Sequence, residues 1–91
     1  MGNLAPGDLV KSTRGRDAGE LLFVVGFDGE RALLANGKER PVERPKRKKI
    51  KHLKYTLSPK GQVPEKLKNG ERVGNSEMRK AIATAVTSYE F

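Results

Sequence analysis

The sequence predicts a mainly β protein in which five short antiparallel strands form a small, strongly bent barrel, followed by a connector and one amphipathic helix. Three observations support this fold class. Apolar, strand-like segments alternate with turn residues between positions 8 and 57. Two of the turns contain Asp28-Gly29 and Asn36-Gly37, dipeptides that favour tight hairpins. From residue 75 onward, apolar residues recur every three or four positions, which is typical of a helix with one buried face.

Four strands are predicted before residue 43, the last three of them as a meander of consecutive antiparallel neighbours. Residues 9–12 form the first strand, and residues 13–19, which contain two glycines and no large apolar side chain, form an exposed loop, here called the glycine loop. Residues 21–27 are apolar at both alternation phases, so we expect a central strand covered on both faces. Strands at residues 31–35 and 38–42 complete the meander.

The last strand is predicted from the alternation of Leu53, Tyr55 and Leu57, with one buried face. Ile50 falls on the opposite phase, so the strand is expected to bend or to begin late. Five short strands in about fifty residues favour a small SH3-like or related barrel, because near closure removes exposed sheet edges.

The carboxy-terminal part is predicted to hold one helix. Residues 58–74 are rich in Pro, Gly, Lys and Asn without periodicity, so they are expected to connect a barrel at residues 1–57 to a helix at residues 75–91. Asn75 or Ser76 is the expected N-cap. The helix is too short to be stable alone, so its apolar stripe should dock on the barrel, or alternatively on a partner. The stripe contains Met78, Ala81, Ile82, Ala85, Val86 and Tyr89.

The positive charge is concentrated in one segment. The chain carries 19 Lys and Arg against 11 Asp and Glu, a formal net charge of +8, yet residues 1–40 are balanced. Residues 44–54, here called the basic strip, hold seven basic side chains, no acid and the single histidine: Arg44, Lys46, Arg47, Lys48, Lys49, Lys51, His52 and Lys54. Such density favours an anionic partner over a merely solvated face. A membrane surface is disfavoured because no amphipathic apolar face flanks the strip.

The glycine loop is a second candidate for anion binding. Arg14 and Arg16 supply guanidinium groups, Gly15 and Gly19 permit close backbone approach, and Asp17 is available to brace an arginine or a turn. An ordinary glycine turn explains the same residues equally well. Among the aromatic residues, Phe23 and Phe27 are expected in the core. For Tyr55, a place in the core and a role as a platform on which RNA bases stack are equally consistent with the sequence.

Enzymatic and metal-dependent functions are disfavoured. With no cysteine and one histidine, the chain can form neither a disulfide nor a Cys/His zinc site, and it has no glycine-rich phosphate-binding motif. His52 lacks a carboxylate nearby in sequence to orient it as a base. No cofactor, metal or small-molecule substrate is therefore expected. The amino terminus lacks a secretory signal pattern, and we expect a soluble, cytoplasmic protein.

Residues 7–12 and 14–20, with the apolar segment 21–26, resemble the KOW motif shared by several ribosomal proteins and by transcription antitermination and elongation factors. Residues 35–42 and 44–53 are similar to the KOW-domain RNA-binding proteins related to the fourteenth eukaryote-type large-subunit ribosomal protein. The resemblance covers about residues 5–56. It implies a barrel whose loop and basic strand contact ribosomal RNA, a role that falls on Arg14, Arg16, Lys46, Arg47, Lys48, Lys49, Lys51 and His52, with Gly15 and Gly19 as the loop glycines.

Together these features predict a non-enzymatic RNA-binding protein that docks on structured ribosomal RNA of the large subunit, beside a possible neighbouring ribosomal protein. The alternative is a KOW protein-interaction module of the transcription-elongation or antitermination kind. The RNA element bound, a permanent or transient ribosomal place, and the oligomeric state stay open. The predicted RNA-binding residues are Arg14, Gly15, Arg16, Gly19, Arg44, Lys46, Arg47, Lys48, Lys49, Lys51, His52 and Lys54.

Overall fold

The computed structural model describes residues 4–88, in which one five-stranded antiparallel sheet is followed by two helices. The mainly β fold class is thus confirmed, as is the number of strands. The elements in chain order are β1 (Leu9–Ser12), β2 (Leu21–Asp28), β3 (Arg31–Ala35), β4 (Lys46–Lys49), the 3-10 helix Ile50–His52, β5 (Leu53–Leu57), α1 (Gln62–Lys68) and α2 (Asn75–Ser88).

The sheet is bent so that its two edges approach each other. The strand order is β4-β3-β2-β1-β5, so β4 and β5 are the edge strands. Only the 3-10 helix Ile50–His52 joins them, which requires the last residue of one edge to lie near the first of the other. Extra residues interrupt the pairing twice, at Val25 on β2 and at Thr56 on β5. Such bulges increase local twist and bend a strand.

β2 is covered on both faces at residues 22–24, as its apolar pattern predicts, whereas the expectation of Phe27 in the core is wrong, since it is 40% exposed near the end of the strand. Leu22 and Val24 are fully buried on one face with Val10, inside the bent sheet. Phe23 is fully buried on the other face, where it packs with Leu9 under the two helices. These two apolar clusters hold most of the buried side chains and fix β1 and β2 as the rigid centre of the molecule.

The predicted strand at residues 38–42 is wrong, because the chain forms a loop there and the fourth strand is β4, inside the basic strip. Asn36 accounts for much of this difference. Its side-chain oxygen accepts hydrogen bonds from the backbone N–H groups of Lys38 and Arg40, at 2.9 and 3.0 Å. A side chain that takes up these donors competes with strand pairing, and Pro41 offers none.

β5 begins at Leu53, so the late start expected from the phase of Ile50 is confirmed. The expectation that Tyr55 shares a buried face is wrong, since its side chain is 52% exposed. The predicted alternation also ends after Tyr55, at a bulge that turns Leu57 to the face opposite to that of Leu53 and Tyr55. Val10 pairs with Tyr55, whereas Leu9 pairs with Leu57, and the extra residue Thr56 donates its hydroxyl to the Leu9 carbonyl at 2.7 Å. Simple alternation does not continue through such a bulge.

The segment 58–74, expected to be a connector without regular structure, contains α1. Val63, Pro64 and Leu67 of this helix are buried, and Val63 and Leu67 belong to the apolar cluster that includes Phe23. Apolar residues four apart place one stripe on a short helix. The prediction missed it because a helix of seven residues, about two turns, gives too few positions for a visible period.

The terminal helix begins at Asn75, as predicted, and its stripe docks on the sheet. Met78 is fully buried and Ala85 nearly so, whereas Val86 is 51% exposed. Tyr89 lies outside the described residues. The side chain of Asn75 does not have the expected capping role: its oxygen accepts from the Val42 N–H at 2.8 Å. No helix within residues 4–88 has the length and apolar character to cross a membrane.

Candidate nucleic-acid interface

The glycine loop is a compact turn at one end of β1 and β2. Gly15 and Gly19 have φ angles of +87° and +91°, a region that residues with a side chain rarely adopt. The Gly19 N–H donates to the Ser12 carbonyl at 2.8 Å, closing the loop. Both glycines are therefore explained by the backbone conformation. Arg14 and Arg16 are exposed on this turn.

Lys48 is engaged inside the protein, which corrects the expectation of an exposed, phosphate-binding head. Its Nζ donates to Asp17 Oδ1 at 2.6 Å, to the Arg14 carbonyl at 2.6 Å and to Ser12 Oγ at 2.8 Å. The Lys48 and Asp17 side chains are only 10% and 8% exposed. Asp17 thus braces a lysine of β4 rather than an arginine of its own loop.

Asp17 is ionised and held by this pairing. Burial alone raises the pKa of Asp17, but the hydrogen bonds from Lys48 and Ser12 and the positive charge of Lys48 outweigh it, so the net pKa lies below its ordinary value. Its second oxygen, Oδ2, is buried without a hydrogen-bond partner among residues 4–88. The carboxylate is therefore fixed through one oxygen.

The other residues of β4 alternate between two environments. Lys46 pairs with Leu34 across the sheet and lies half-buried, on the same face as Lys48. Arg47 and Lys49 are exposed on the opposite face. Arg47 Nε lies 2.8 Å from Asp28 Oδ2, in an ion pair whose side chains are 63% and 57% exposed. Solvent weakens such a pair, so Arg47 is still accessible to an anion.

The glycine loop and the basic strip meet at His52. The backbone N–H and the hydroxyl of Thr13 both donate to the His52 carbonyl, at 2.9 and 2.8 Å. Partial burial lowers the pKa of His52, and the positive charges of Arg14, Lys51, Lys49 and Lys48 lower it further. A histidine that senses charges from both segments lies between them. The loop and the strip therefore form one continuous basic surface.

Two further basic residues belong to this surface, and the sequence interpretation missed both. Lys11 on β1 pairs directly with Lys54 on β5, and Arg31 on β3 pairs directly with Lys49 on β4. Like charges that face each other across two strands destabilise the sheet, and an anion bound between them relieves the repulsion. Only the strand register reveals these pairs, since no local pattern marks Lys11 or Arg31.

The twelve predicted RNA-binding residues are thus not equivalent. Arg44 precedes β4, at the end away from the 3-10 helix Ile50–His52. Among these twelve, the exposed cations that form no ion pair with any residue of 4–88 are Arg14, Arg16, Arg44, Lys49, Lys51 and Lys54. We define the cationic surface by Lys11, Arg14, Arg16, Arg31, Lys49, Lys51, His52 and Lys54.

Clusters of metal ligands and well-formed grooves are the features typical of an enzyme site. Within residues 4–88, no three His, Asp or Glu side chains lie close enough to share a metal ion. A groove of about 530 Å³ runs between residues 59–64 and α2, above Phe23. None of its lining residues belongs to the cationic surface.

Comparison with known proteins adds no assignment: no protein-family model matches the chain, and no curated protein matches it significantly. The described residues define a small β-rich protein with one cationic surface, and its function is inferred from that geometry.

Proposed function

We propose that this protein is a non-enzymatic RNA-binding protein of the KOW kind, with an SH3-like barrel that docks on structured ribosomal RNA of the large subunit in the cytoplasm. Its partners are that RNA and a neighbouring ribosomal protein. The proposal joins the resemblance of residues 5–56 to the placement of the cations.

The barrel part of the proposal is supported by the connection between the two edge strands. A single 3-10 helix joins β4 to β5, while β1 pairs with both β2 and β5. Lys48 of β4 also donates to Ser12 Oγ at the end of β1. A side-chain contact of this kind between two strands that are not sheet neighbours requires a strongly curved sheet.

The observation that carries the RNA part is the meeting of the glycine loop and the basic strip at His52. Arg14 comes from one segment, and Lys49 and Lys51 from the other, yet their charges act on the same imidazole. A phosphate backbone neutralises several such cations at once, whereas a compact anion satisfies only one or two. Because the bases of an RNA helix are poorly accessible, recognition relies on backbone shape.

The salt dependence of binding tests the electrostatic part. If about five phosphates are contacted, the logarithm of the binding constant should fall with the logarithm of salt concentration with a slope of about 3 to 5. The measurement is a titration of folded large-subunit ribosomal RNA with the full chain at several KCl concentrations. A flat response contradicts the proposal.

Charge reversal tests where the RNA binds. Lys49→Glu, Lys51→Glu and Lys54→Glu together should abolish RNA binding and association with ribosome fractions. The matched control changes Lys60, Lys68 and Lys80 to Glu, three exposed residues outside the cationic surface. Each change lowers the net charge by two, so both triple variants reduce +8 to +2. Lys48 is left unchanged because it is buried.

We expect the control to retain most of its affinity, because its lysines lie around α1 and α2. Equal loss in both triple variants would mean that total charge, and not this surface, drives binding. Ribosome association retained by the Lys49, Lys51 and Lys54 variant would contradict the proposal and favour the protein-interaction module.

A further inference from the structure

The only buried ion pair among residues 4–88 connects the glycine loop to β4. We propose that Lys48 is a positioning residue for RNA binding: together with Asp17 it holds the glycine loop in the shape that presents Arg14 and Arg16 to folded RNA. This inference rests on the proposed function, and assigns a role to one lysine of the strip that differs from the role of its neighbours.

The hydrogen-bonding capacity of Lys48 excludes a direct phosphate contact. A lysine ammonium group has three N–H donors. Lys48 has three acceptors in place, namely Asp17 Oδ1, the Arg14 carbonyl and Ser12 Oγ, all within 2.8 Å. With its side chain 10% exposed, it has neither a spare donor nor an open path to an RNA phosphate.

The contacts of Lys48 determine where the loop lies. Thr13 is attached to the His52 carbonyl, and the next residue, Arg14, is attached through its own carbonyl to Lys48. Two successive residues are thereby fixed against the basic strip. A loop with two glycines has high conformational freedom when such attachments are absent.

Asp17 also supplies the charge that allows the loop to stay there. The positive charges of Arg14, Lys48, Lys49 and Lys51 all act on His52, so these cations are grouped around it and repel one another. The Asp17 carboxylate is buried against Lys48 and offsets part of that repulsion. Loss of Asp17 would therefore increase the total positive charge while releasing Arg14 from its position.

The increase in positive charge should strengthen RNA binding, whereas the release of Arg14 should weaken it. The direction in which the affinity changes therefore tests the inference. Asp17→Asn raises the net charge from +8 to +9, and so does the control Asp28→Asn, which removes the exposed partner of Arg47. If charge alone mattered, both variants would bind folded large-subunit ribosomal RNA more tightly. We expect Asp28→Asn to bind equally or more tightly, and Asp17→Asn to bind about threefold to tenfold more weakly, because preorganisation of the loop is lost. Tighter binding by Asp17→Asn overturns the inference.

A second variant covers the case in which Asp17→Asn does not fold. Ser12 is 1% exposed and uncharged, and its hydroxyl donates to Asp17 and accepts from Lys48. Ser12→Ala keeps the net charge and cannot remove an RNA contact. At a temperature where circular dichroism shows it fully folded, we expect severalfold weaker binding to the folded RNA, with the salt slope unchanged.

Binding to poly(U) distinguishes a change in the shape of the glycine loop from general damage to the protein. Poly(U) is a flexible single strand that adapts to the loop and is bound mainly by charge. Ser12→Ala should bind poly(U) as the unmodified protein does. Equal affinity of Ser12→Ala and the unmodified protein for the folded RNA would overturn the inference while leaving the proposed function intact. Failure of the unmodified protein to bind RNA would instead reject the proposed function.

Discussion

Arg47 and Lys48 are neighbours in the basic strip but stand in opposite environments. Arg47 forms an exposed ion pair with Asp28, and such pairs contribute less than about 1 kcal/mol. Lys48 forms a buried one with Asp17, where removal of one partner leaves an uncompensated charge and costs about 3 to 5 kcal/mol. Strand alternation produces the difference, because successive residues of β4 point to opposite faces of the sheet. Within one run of lysines, structural and binding residues are therefore interleaved.

The buried pair predicts how stability depends on pH. Since the folded-state pKa of Asp17 is below its ordinary value of 3.8, its contribution is fully present above about pH 4 and is lost as the pH falls through the lower folded-state pKa. We expect the Tm difference between the unmodified protein and Asp17→Asn to be largest above pH 4 and to shrink on further acidification.

Thermal unfolding followed by circular dichroism from pH 7 to pH 2 measures this difference. Glu39→Gln is the control, because Glu39 is also an acid with a lowered pKa, held by its own backbone and by Asn36, yet its side chain is 56% exposed. Because solvent weakens the contacts of Glu39, the Tm difference between Glu39→Gln and the unmodified protein should change with pH in the same direction but by much less than that of Asp17→Asn. A constant Tm difference for Asp17→Asn would mean that Asp17 is not ionised in the fold.

At the scale of the elements, α2 fixes the long loop between β3 and β4. Arg79 Nη1 donates to the Gly37 carbonyl at 2.5 Å, and Asn75 binds the Val42 N–H and the Glu43 carboxylate. This loop leads into β4, so the helix that completes one apolar cluster also guides the strand that carries much of the basic strip. The sequence shows the helix and the strip separately, while their link is a contact between residues far apart in the chain.

Gly37 tests this contact. Its φ angle is +79°, and a Cβ there would collide with the Asn75 carbonyl of α2. Gly37→Ala should therefore destabilise the protein by about 3 kcal/mol, combining backbone strain and overpacking. Gly29→Ala is the matched control, because its φ is +62° but a Cβ would meet nothing within 4 Å. We expect about 1 kcal/mol there, from strain alone. Urea unfolding of both variants gives the comparison, and equal losses would show that the helix does not press on the loop.

Across the whole molecule, the sequence predicted what depends on local pattern and missed what depends on register and curvature. The two-faced β2, the late start of β5 and the docked terminal helix follow from apolar spacing. The position of β4 did not, because the Asn36 side chain captures backbone donors of the loop. The cationic surface was found as a charge run, yet Lys11 and Arg31 join it only through pairing. The burial of Lys48 depends on Asp17, thirty-one positions earlier in the chain.

The two apolar clusters are closed by different elements, and this difference predicts how α2 contributes to stability. One cluster lies within the bent sheet, whereas the other, with Leu9 and Phe23, is closed by α1 and α2. Met78 is fully buried in the second cluster, so Met78→Ala should cost about 2 to 5 kcal/mol. Val86 lies on the same helix with 51% exposure, and Val86→Ala should change stability by less than about 0.5 kcal/mol.

Urea unfolding monitored by circular dichroism distinguishes the two variants, and RNA titration should give both the same salt slope, because neither residue carries charge or belongs to the cationic surface. Equal stability of the two variants would mean that the helix is dispensable to the core. If Met78→Ala destabilises as expected and its RNA affinity is retained below the unfolding transition, the helices act as a structural support that closes the exposed face of the sheet. The charged loop and strip then perform the binding.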